Sequence, residues 1–62
     1  MNVKLSRNAD GTVTVRVGRM VEHIDPDGKS KGELFDAVKW ALISKGATLS
    51  DIQITEALQR LR

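Results

Sequence analysis

Cysteine and tyrosine are absent from this 62-residue chain, and histidine, proline, tryptophan and phenylalanine each occur once. Without cysteine no disulfide staples the fold, and no thiolate is at hand to bind a metal or attack a substrate. A single imidazole leaves the usual metal-site spacings without their ligands. No run of apolar residues approaches the roughly 18 that cross a bilayer, and "MNVKLSRNADG" lacks the apolar stretch of a secretory leader. The expectation is an intracellular protein with no membrane association. Repeats, linkers and low-complexity segments are missing as well, so residues 1–62 read as one domain. A domain this short buries only about 60% of the surface its unfolded chain exposes. It lives on a small apolar core or adds to that core by association.

What is present is ordinary globular material: 40% hydrophobic, 29% charged, net charge +2. The mild basicity permits a nucleic-acid partner without demanding one.

The first third alternates with period two. In "NVKLS" Val3 and Leu5 share one face; in "TVTVRV" Val13, Val15 and Val17 share one face. β-Branched residues suit a pleated, half-buried surface. Asn8, Asp10 and Gly11 in the intervening "RNADG" take turn conformations cheaply, which predicts a hairpin. Its outer face is Lys4, Ser6, Thr12, Thr14 and Arg16, with Arg7 and Arg19 near the rim. Gly18 breaks the alternation, and "RMVEHI" reads as a third short strand or a bent continuation of the second. "DPDG" at 25–28 is a turn, with Pro26 presetting φ at the second position.

The second half changes to period 3.6. Ser30 with Glu33 and Ser50 with Gln53 have the spacing of capping boxes. They predict helices over 31–45 and 51–61. Gly46 supplies the left-handed residue that ends the first helix, and Leu49 with Ile54 fits a hydrophobic staple on the second. The fold class is therefore α+β, in the order ββαα or βββαα, with both helices on one sheet face. Val13, Val15, Val17, Leu34, Val38, Leu42, Leu58 and Leu61 are the expected common core.

At roughly 100° per residue, Leu34, Phe35, Val38, Ala41 and Leu42 fall in one arc of the first helix, with Ala37 at its edge. Trp40 and Ile43 fall outside it, in the arc of Glu33, Asp36, Lys39 and Ser44. Ile52 likewise lies off the apolar face formed by Ile54, Ala57, Leu58 and Leu61. Either the second helix covers Trp40 and Ile43, making the first helix a middle layer, or these residues stay open. Burying Asp36, Lys39 and Ser44 unpaired is expensive, so the expectation is an open apolar patch of Trp40, Ile43 and Ile52, rimmed by Asp36 and Lys39. Such patches mark interfaces, and tryptophan is a favoured anchor in them.

Reaction chemistry is thin. His23, Asp25 and Asp27 would point the same way along an extended segment, but a solvated strand end is the simpler reading. "GKSKG" lacks phosphate-loop spacing. No catalytic residue, metal, cofactor or small-molecule substrate is expected. The main expectation is a non-enzymatic binding protein that contacts a protein partner or a second copy of itself. It is similar in size and class to the small regulators and inhibitors that phages and mobile elements carry.

The second expectation is a small dimeric DNA-binding regulator that uses Lys4, Arg7, Thr12, Thr14, Arg16 and Arg19. In element order the chain is similar to the ribbon-helix-helix repressors. It departs from them because residues 18–30, including "DPDG", separate "TVTVRV" from the first helix. The two helices meeting at Gly46 resemble a helix-turn-helix only in that glycine-containing turn.

Overall fold

The hairpin turn begins at Asn8. Its amide donates to the Thr12 carbonyl at 2.8 Å, and the Gly11 amide donates back to the Asn8 carbonyl at 3.0 Å. Gly11 sits at φ +90, as a three-residue hairpin loop requires. This turn joins β1 (Val3–Arg7) to β2 (Val13–Val17). Gly18, at φ +61, then opens a two-residue turn into β3 (Met20–Ile24), so "RMVEHI" is a third strand. The sheet order is β1-β2-β3, antiparallel throughout. A computed structural model describes residues 2–61. In it the chain is a three-stranded sheet followed by two helices, βββαα.

Both helices start at the predicted caps. Ser30 and Ser50 accept from the backbone amides of Glu33 and Gln53, whose side chains accept in return from the cap amides. These bonds satisfy amide groups that the first helical turn otherwise leaves open. Helix α1 spans Lys31–Ser44 and α2 spans Asp51–Gln59. Gly46 ends α1 at φ +77, its amide bonding the Ile43 carbonyl at 3.0 Å while the Ala47 amide bonds the Leu42 carbonyl at 2.9 Å. That pair of bonds is a Schellman ending. The second helix stops at Gln59, short of Leu61. The Leu61 amide tightens onto the Leu58 carbonyl instead of continuing the α pattern.

The register places Val3, Leu5, Val13, Val15, Val17 and Ile24 on the face toward the helices. Val38, Ala41 and Leu42 of α1, Ala47 of the connection and Ile54 of α2 close the core against Val15, Val17 and Ile24. Burying an aliphatic side chain of this kind is worth about 1.5–3 kcal/mol. Three members of the expected core fall short of it: Leu34, Leu58 and Leu61 are only half-buried. Helix α1 packs on β2 and β3, and Val3 and Leu5 of β1 stay only half-buried.

Glu22 also lies on the helix-facing side, where alternation alone would forbid a carboxylate. Lys45, at the end of α1, reaches it and forms an ion pair. The lysine side chain is nearly covered, so the pair ties β3 to the helix layer.

Candidate functional site

Among the described residues, the arc of α1 away from the sheet touches α2 through Lys39 but leaves Trp40 and Ile43 open. Trp40 is 68% exposed and Ile43 46% exposed, three residues apart and hence neighbours on the helix surface. Helix α2 packs alongside α1 rather than over Trp40, because its own apolar face sends Ile54 into the common core. The arrangement in which α1 is a middle layer is thereby excluded. Lys39 Nζ lies 3.4 Å from Asp51 Oδ1. This contact joins the α1 turn that bears Trp40 and Ile43 to the α2 turn that bears Ile52, itself 71% exposed. Asp36 is exposed one turn before Trp40. The structure thus leaves Asp36, Trp40, Ile43 and Ile52 open to solvent and half-buries Lys39 under its ion pair with Asp51.

The sheet face turned away from the helices is also uncovered. Lys4 and Arg16 stand directly opposite each other across β1 and β2, with Val21 next on β3. The following row is Ser6, Thr14 and His23. Asn8 Nδ2 donates to the hydroxyls of Thr12 and Thr14, at 2.9 and 2.8 Å. The Thr14 hydroxyl lies 2.9 Å from His23 Nδ1. Thr12 is fixed in the turn by donating its amide and hydroxyl to Asp10 Oδ1, at 3.0 and 2.7 Å. Those two bonds hold the Asp10 carboxyl below its ordinary range, the hydroxyl contributing most. Glu33 is lowered in the same way, because its carboxylate accepts from the Ser30 amide.

Among the residues expected to face nucleic acid, Lys4 and Arg16 are exposed on this face and Arg19 in the adjoining turn, but Thr14 is buried beneath its bonds to Asn8 and His23, and Thr12 is half-buried in the turn. Arg7 is not on that side. It continues the Val3–Leu5 row onto the helix side, pairing with Val13. There it lines a cleft of about 470 Å³ with Lys31, Leu34, Phe35, Leu58 and Gln59. Nothing in the sequence pattern announces this cleft, because its walls come from β1, α1 and α2, which are distant in the chain.

His23 does not gather with Asp25 and Asp27 as an extended segment would have it; it is spent on Thr14. Among the described residues no three His, Asp or Glu groups come close enough to hold a metal ion. The Thr14–His23 contact pairs a hydroxyl with an imidazole, but neither the helix-side cleft nor the one around Asp10 and Asp25 reaches it. No helix among the described residues is long and apolar enough to cross a membrane. Comparison with protein-family models, curated proteins and solved structures finds no match to this chain.

Proposed function

We propose that this chain is a non-enzymatic binding domain that docks a protein partner through Trp40, Ile43 and Ile52, with Asp36 and Lys39 at the rim. The observation that carries the reading is the 68% exposure of Trp40, which takes no part in the domain's own core. An indole left in water beside the open Ile43, with Ile52 exposed across the Lys39–Asp51 contact, invites aggregation unless something covers it. An exposed aromatic with aliphatic and charged residues around it has the composition of a protein-binding hot spot. Such a domain acts by occupancy, as a regulator or an inhibitor does, and needs neither cofactor nor small-molecule substrate.

The test is affinity capture with the wild-type chain and with Trp40→Ala, followed by titration of the captured protein. Truncating a hot-spot tryptophan costs about 2 kcal/mol or more, so binding weakens roughly 30-fold. Equal affinity of the two chains for every captured protein refutes the reading. Sedimentation over a range of concentrations distinguishes a second copy of the chain from a different partner.

A further inference from the structure

On the opposite side of the molecule from Trp40, the open sheet face is divided by charge. Lys4 and Arg16 face each other across the β1–β2 ladder, and Arg19 is exposed in the turn at the same end of the sheet. None of the three has a carboxylate within ion-pair distance among the described residues. Neither strand row on this face contains an acidic residue. The carboxylates of this part of the chain lie elsewhere. Asp10, Asp25 and Asp27 gather at the far end, around a shallow cleft that Arg7 enters from the helix side. Glu22 is on the covered face, held by Lys45.

Like charges placed directly opposite on a sheet destabilise it. Here the strain is left unrelieved from within, on a face that no helix covers. An anion laid across both residues relieves it. We infer that the basic end of this face, Lys4, Arg16 and Arg19, binds the phosphates of double-stranded DNA.

Three features favour a DNA duplex over other polyanions. Five-residue strands give a platform about 17 Å long. Three strands are about 10 Å across between the outer backbones, so Lys4 and Arg16 can reach phosphates on the walls of a major groove about 12 Å wide. The face holds no aromatic side chain, so unpaired bases have nothing to stack on. The major groove of an RNA duplex is too deep and narrow for side chains to read. Beyond the cations, Val21 is 45% exposed beside Arg16, while the next row holds a buried Thr14 whose hydroxyl is taken by Asn8 and His23. Val21 suits contact with a thymine methyl.

The experiment is fluorescence anisotropy with a labelled 20-base-pair DNA duplex, at 50 and 200 mM NaCl. Three phosphate contacts give a log–log salt slope near −2.7, an affinity loss of about 40-fold between the two salts. The paired substitution Lys4→Thr with Arg16→Thr keeps strand propensity and leaves one contact. Its loss between the same salts falls to about 3.5-fold, and binding at 50 mM weakens at least about tenfold. A charge-preserving exchange, Lys4→Arg with Arg16→Lys, retains binding and separates lost charge from lost fold. Trp40→Ala binds the duplex as the wild type does, so failure here and failure of the protein-docking reading are read independently. The inference is overturned if the wild type does not bind at 50 mM NaCl, or if the Thr pair binds equally well. Equal affinity for single-stranded DNA or polyglutamate overturns it too.

Discussion

Leu42 and Ile43 are adjacent in the chain and differ only in where one methyl branches, yet Leu42 is 1% exposed and Ile43 46%. The contrast runs the length of α1. On one side Val38, Ala41 and Leu42 are sealed against the sheet and α2; on the other, Trp40 and Ile43 face water. Hydrophobicity therefore does not decide which residues make the core of this domain. Angular position on the helix does, and that position is set by where the cap at Ser30 starts the helix and where Gly46 stops it. A face left open after the core is complete is spare capacity, and in a small domain spare apolar capacity is most simply explained by a partner.

Paired truncations break or sharpen this contrast. Leu42→Ala removes packing on three sides and is expected to cost about 2–5 kcal/mol, a large fraction of the stability of so small a domain. Ile43→Ala is expected to cost about 0.5 kcal/mol or less, as at other open positions. Urea denaturation of the two variants reads the difference directly. Similar costs would mean that the two sides of α1 are packed alike. A smaller effect belongs to the caps. Ser30→Ala and Ser50→Ala each remove the acceptor for a first-turn amide and should cost about 0.5–2 kcal/mol. Unchanged melting of both would place the helix starts, and with them the division into closed and open faces, somewhere else.

The division is legible in the amino-acid sequence because it follows from local rules. Capping boxes, the Gly46 stop and the period-two valines each lie within a few residues of what they determine. The features that are not legible there depend on residues distant in sequence. Strand β3 shows no alternation because its inward row is Met20, Glu22 and Ile24, and only Ile24 is buried. Glu22 is tolerated there because its side chain keeps much of its contact with water and pairs with Lys45 from the end of α1, 23 residues away. Composition and proximity to the turn suggest the rim of the hairpin's outer face for Arg7. Its place on the helix side follows from register, and the cleft it lines is completed by Lys31, Leu34 and Phe35 of α1 with Leu58 and Gln59 of α2. Leu34 and Leu58 have the helical phase of core residues and pack against the core, but they stay only half-buried because they also wall the cleft. Ala47 is buried in the connection between the helices, outside any periodic pattern.

Trp40 is the chain's only tryptophan and therefore its own reporter. The most direct measurement is its fluorescence in a sample shown by sedimentation to be monomeric, with acrylamide quenching, before and after a partner is added. The account predicts red-shifted emission that is easily quenched in the monomer, moving to the blue and losing quencher access on association. Blue, quencher-resistant emission in the proven monomer would put Trp40 in the core and contradict the open face.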